Sequence, residues 1–134
     1  MAILRAGGGE NEWSARVAAV VRAGLAFAAA DPAGAQLLTN EALARGADGV
    51  ARHERVVAYL GGCLFEGRAE DPDGERLPEI TERAMTGGAV MLAAQRLDLG
   101  KERELPALAS EVIQFVLTPY LGAEEARRIA GLLP

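Results

Sequence analysis

One histidine, His53, and one cysteine, Cys63, occur in this chain of 134 residues, and they bound the chemistry it can do. A nucleophilic cysteine needs an adjacent base and a depressed pKa. Ten positions apart on one predicted helix, at about 1.5 Å of rise per residue, His53 and Cys63 are too far apart to pair. With one such ligand of each kind, a metal site would have to be built from carboxylates. Glu66, Glu70, Asp71, Asp73 and Glu75 gather in one stretch but lack the spacing of a calcium loop, so they read as a solvated turn. Gly7-Gly8-Gly9 lacks the Lys-Ser/Thr that a phosphate-cradling loop requires. These residues support no enzyme, no metal and no resident cofactor.

What remains is binding. His53, Val57 and Leu60 fall on successive turns of one predicted helix, one polar group above an apolar wall. That is the make-up of a small-molecule site. Phe27, Glu41 and Met85, from three other predicted helices, complete the expected lining. The ligand would be small and mainly hydrophobic, with one hydrogen-bonding end. Tyr59, Cys63 and Met91 are further candidates for a greasy wall. Each has a plainer reading. His53 is then a hydrogen-bonded core histidine, Glu41 is solvated or paired with Arg45 at i+4, and the apolar residues simply fill the core.

Half the residues are hydrophobic, a quarter are charged and few are aromatic, with alanine abundant. This is the composition of a folded domain built helix on helix, and the length suits one domain with its own core. The net charge is −5. Phosphate contacts dominate nucleic-acid affinity, so an acidic chain is a poor DNA binder by itself. No uninterrupted apolar run reaches membrane-spanning length. The single cysteine excludes an intrachain disulfide, and a cytoplasmic setting is expected.

The elements that would position the candidates read as about six helices, with no strand pattern. Residues 1–11 form a flexible lead-in, and a single domain covers 12–134. The first helix runs from Glu12 to Ala30, with Trp13, Val17, Val20, Gly24 and Phe27 on one stripe and Val21, Leu25 and Ala28 beside it. Asp31-Pro32 starts a second helix, through Arg45. Asp48 caps a third, which Gly67 closes. The fourth spans Pro78–Leu99 and carries two apolar stripes: Ile80, Ala84, Gly87 and Met91 on one side, Met85, Ala89, Leu92 and Leu99 on another. A helix with one apolar stripe packs on one core; two stripes imply a second neighbour. Gly87-Gly88 would let another backbone come close. The fifth helix, from Leu105, bears Leu108, Val112 and Phe115 at heptad spacing, and Pro119 stops or kinks it. We therefore expect a homodimer interface formed by Ile80, Ala84, Gly87, Gly88, Met91, Leu108, Val112 and Phe115. A short sixth helix covers Ala123–Ala130.

Three pieces in this order resemble the C-terminal domain of TetR-family transcriptional regulators. They are Ala30-Asp31-Pro32-Ala33-Gly34-Ala35-Gln36-Leu37-Leu38 with Glu41-Ala42-Leu43, Leu77-Pro78-Glu79-Ile80-Thr81-Glu82-Arg83-Ala84-Met85 running into Gly87-Gly88, and Phe115-Val116-Leu117-Thr118-Pro119-Tyr120-Leu121-Gly122 with Glu124-Glu125-Ala126. The resemblance extends over about Trp13 to Ala130. It implies an all-α domain whose last two long helices pair with those of a second subunit as a four-helix bundle. It also implies an effector pocket among the earlier helices. The family's helix-turn-helix head is missing before Trp13, so the resemblance assigns no direct DNA binding to these residues. The expected function is sensing of a small hydrophobic effector, with dimerisation, in a transcriptional regulator. The alternative is a headless interaction protein that pairs with itself or with full-length regulators and has no open pocket.

Overall fold

The computed structural model describes residues 12–39, 46–70 and 74–132, and the described residues are all helical, with no strand. Six α-helices are described: α1 (Glu12–Ala30), α2 (Pro32–Leu38), α3 (Ala47–Phe65), α4 (Thr81–Asp98), α5 (Ala109–Leu121) and α6 (Ala123–Ile129). Short 3₁₀ turns at Glu66–Glu70, Gly74–Arg76, Glu102–Glu104 and Pro106–Leu108 join them. The expected lead-in, residues Glu41, Ala42 and Arg45 of the expected second helix, and Asp71 and Asp73 of the acidic stretch lie outside the described residues.

Helix α5 is the centre of the core. Ile113, Val116, Leu117 and Tyr120 are buried, and Ala126 and Ala130 continue the same apolar surface past the turn at Gly122. Helix α1 packs against α5, and Trp13, Val17, Leu25 and Ala28 are the bulk of its share of the common buried cluster. Its buried face is therefore turned from the expected one: Gly24 and Phe27 point outward, and Phe27 is 48% exposed. By length and composition α1 would also suit a membrane span, but a third of that window is buried inside the fold.

Asp31 caps α2 as its type predicts, with the Gly34 amide donating to Oδ1 at 3.1 Å. The third helix begins at Ala47, with Asp48 in its first turn and no side-chain cap. Gly67 does not close it; the chain continues as a 3₁₀ turn, and Gly67 is buried because the Trp13 indole occupies the place of a β-carbon. Leu105 is fully buried but precedes α5, since Pro106 opens a 3₁₀ turn first. Pro119 neither stops nor breaks α5. Near the helix end its missing N–H removes only one bond. Gly122 ends the helix instead, at φ +86°, a conformation open to glycine and strained for other residues.

Candidate functional site

The predicted pocket does not assemble as expected. Phe27 is on the outside of α1. His53 is half-buried, and its Nδ1 donates to the Leu38 carbonyl at 3.2 Å, which ties α3 to the end of α2. A carbonyl only accepts, so this bond places the ring proton on Nδ1. Val57 is half-buried, and Met85 packs against the core cluster. Tyr59 and Met91 are exposed. Glu41 is outside the described residues. Of the five described candidates, only Leu60 lines the partly open apolar cavity between the helices.

That cavity measures about 40 Å³ and lies between α1, α3, α4 and α5. Val17, Val20 and Val21 form one wall and Leu60, Cys63 and Leu64 another, with Thr86, Ala89 and Val116 completing it. The lining is apolar except for the Cys63 thiol and Thr86. Thr86 is 2% exposed, and its Oγ1 has no hydrogen-bond partner among the described residues. The neighbouring polar atoms of α4 are otherwise engaged.

One turn before Thr86, Glu82 anchors a buried polar chain. Arg68 grips its carboxylate with two bonds, Nε to Oε2 at 2.9 Å and Nη2 to Oε1 at 3.0 Å. The same guanidinium donates to the carbonyls of Leu77 at 2.9 Å and Pro78 at 2.7 Å, which fastens the segment before α4. Tyr120 of α5 donates its hydroxyl to Glu82 Oε2 at 2.7 Å. The Tyr120 ring meets Trp13 edge to face, with centroids 5.3 Å apart, and the Trp13 indole N–H donates to the Cys63 carbonyl. Burial pushes the Glu82 carboxyl up, but the hydrogen bonds from Arg68 and Tyr120 outweigh it and hold it below its ordinary value. Burial, then the bond to Glu82, raises the Tyr120 phenol. A carboxylate with its acceptor sites filled and its proton affinity lowered is a structural anchor and a poor general base.

The sequence pattern missed this network because α4 turns a partly polar face inward. Glu82, Thr86, Ala89, Ala93 and Leu97 follow one another at helical spacing, and Thr81, Glu82 and Thr86 are buried. Apolar periodicity cannot flag a core position held by Glu or Thr. The signal available was the i, i+4 pair of polar residues between two apolar stripes.

The expected interface residues divide. Ile80 is 70% and Met91 67% exposed, Phe115 is 46% exposed, and Ala84 and Gly88 are also exposed. Gly87 and Leu108 are half-buried. The Phe115 ring edge lies over Gly88, where a β-carbon would stand 3.4 Å from it, so the close approach at this glycine comes from the same chain. Val112 is 6% exposed within the chain's own core and does not belong to the uncovered stripe. Leu99, placed on one stripe with Met85, Ala89 and Leu92 by periodicity, is exposed while those three pack against the core.

Among the described residues, no group of three or more His, Cys, Asp or Glu side chains could hold a metal ion. The chain matches no protein-family model, no curated protein and no solved structure.

Proposed function

We propose that this chain is the effector-sensing and dimerising domain of a TetR-type transcriptional regulator, acting in the cytoplasm. The observation that carries the reading is the uncovered apolar face of α4 and α5. Ile80 at the start of α4, and Ala84 and Met91 along it, are exposed beside Phe115, whose own ring edge lies over Gly88. Small residues between large ones suit the close packing of a helix from a second copy. The opposite faces of these two helices build the core and the cavity. A molecule in the cavity therefore touches the helices that would form the interface. An effector changes such an assembly only if it binds two arrangements with different affinity.

The modest volume of the cavity favours a second reading, an interaction protein that pairs with itself or with full-length regulators and senses nothing. Both readings require a dimer, which light scattering at micromolar concentration tests. A dimer that Met91→Arg converts to a folded monomer supports them, and a monomeric unaltered chain overturns the sensor reading and the self-pairing form of the other. Saturable binding of a small molecule decides between the two.

A further inference from the structure

We propose that α4 pairs with α4 of a second copy running antiparallel, with the partner's Met91 seated beside Gly88. This deepens the dimer reading and rests on it. The exposed residues of α4 are Arg83, Ala84, Gly88, Met91, Gln95 and Asp98, with Ile80 just before the helix and Leu99 just after it also exposed. Ile80, Ala84, Gly88, Met91, Gln95 and Leu99 form one stripe along the helix. The stripe carries a knob and a dent. Met91 is 67% exposed, whereas Gly88 and Ala84, one and two turns earlier, have little or no side chain. The ring edge of Phe115 walls the dent at Gly88.

In a two-fold interface the same patch meets itself. In a parallel pair each residue meets its own copy, so knob strikes knob and dent faces dent. An antiparallel pair centred between Ala89 and Val90 exchanges them: position 88 lies opposite 91, 84 opposite 95 and 80 opposite 99. The partner's Met91 then fills the space over Gly88, with its thioether against the Phe115 ring edge, a favourable sulfur–aromatic contact. Ile80, 70% exposed, comes to the end where the partner's Leu99 is uncovered. Charge selects the same direction. Arg83 and Asp98 border the stripe at opposite ends, and Glu79 and Lys101 lie beyond them, all exposed. Antiparallel pairing brings Arg83 to the partner's Asp98 and Glu79 to the partner's Lys101, whereas parallel pairing sets each charge on its like. Arg83 makes one bond within the chain, to Glu54 at 3.3 Å, which leaves guanidinium donors for a partner. A spacing and a charge order that match their own reverse point to a second copy as the occupant.

Thiol cross-linking of the full chain tests this, in a Cys63→Ala background that leaves no native thiol. Ala84→Cys and Gln95→Cys are made singly and also co-expressed with tags of different size. The expected result is a disulfide in the mixed dimer, about tenfold above either variant alone, since two copies of one position lie about 16 Å apart along the pair. A disulfide in Ala84→Cys alone marks a parallel pair and overturns the proposal, as does a dimer with no mixed disulfide. Should a cysteine variant fail to fold, charge reversal decides. Asp98→Arg should loosen the dimer by about fivefold, and adding Arg83→Asp should restore it. A double variant no tighter than the single overturns the register. Sedimentation of the unaltered chain separates this inference from the dimer reading. A monomer overturns both, and a dimer that fails the cross-linking overturns the inference alone.

Discussion

Tyr120 and Glu82 show how one hydrogen bond can join three helices. The phenol reaches from α5 to a carboxylate on α4, and its ring rests on Trp13 of α1. Tyr120→Phe keeps the ring contact and removes only the bond. Because the acceptor is charged, we expect a loss of about 1.5–3 kcal/mol in urea unfolding. An unchanged midpoint would show that the bond contributes nothing. Glu82 links the same site to pH. Its folded-state pKa lies below the unfolded value of about 4.3, so its stabilisation is full above that value and is lost as pH falls through the folded pKa. Melting temperature should therefore drop on acidification below about pH 4. Glu82→Gln should melt lower at neutral pH and lose part of that acid-dependent drop. His53 belongs to a different role from the one its position suggested. Since it bonds the Leu38 carbonyl, His53→Ala should cost about 0.5–1.5 kcal/mol in urea unfolding. No loss would show that this tie between α3 and the end of α2 carries no stability.

At the scale of elements, the junction of α1, α3 and α5 depends on Gly67. Its missing side chain leaves the space that the Trp13 indole fills, and the indole N–H then reaches the Cys63 carbonyl at the end of α3. Gly67→Ala would force that ring to move. Overpacking of this kind costs about 1–3 kcal/mol, readable as a lowered thermal midpoint. A variant as stable as the unaltered chain would mean that the indole shifts freely. Helix α3 contrasts with α5. It buries few of its residues completely, whereas α5 buries six of thirteen. Hydrogen exchange should therefore be faster along α3 than along α5, since sparse burial lowers the free energy of local opening. Equal protection of the two would show that the difference in burial does not set their local stability.

For the whole molecule, the decisive surface is the outer face of α4 with Phe115. A stable interface buries on the order of 800 Å² per partner. Met91 is the informative position because it is exposed in the single chain, so Met91→Arg should leave the fold intact and, if the proposed dimer forms, convert it to monomer. Val112→Arg is uninformative, since a charge there disrupts the chain's own core. The net charge of −5 adds a further expectation. The chain alone should show no sequence-dependent binding to duplex DNA at physiological salt. Sub-micromolar specific binding in a mobility shift would overturn it.

Local chemistry made the helices legible in the sequence. Asp31-Pro32 set the start of α2, and the apolar spacing of Glu12–Ala30 read directly as α1, whereas the end expected at Pro119 came at Gly122. Capping, backbone freedom and periodicity act within a few residues, so one chain displays them in order. Which side of each helix faces inward was legible only in part. Trp13 and Val17 are core as expected, but Phe27 is not, because the last turns of α1 bury Leu25 and Ala28 instead. On a helix with apolar residues around much of its girth, neighbours decide the buried face. The polar interior left only the i, i+4 pair Glu82 and Thr86 as a trace in the sequence. Arg68, Glu82, Tyr120 and Trp13 lie on four separate segments, and Glu82 and Thr86 stand at core positions that periodicity assigns to apolar residues. A buried carboxylate is stable only when distant donors converge on it. That convergence, and the unpartnered hydroxyl one turn further on, is a property of how the helices pack and exists only in the tertiary structure.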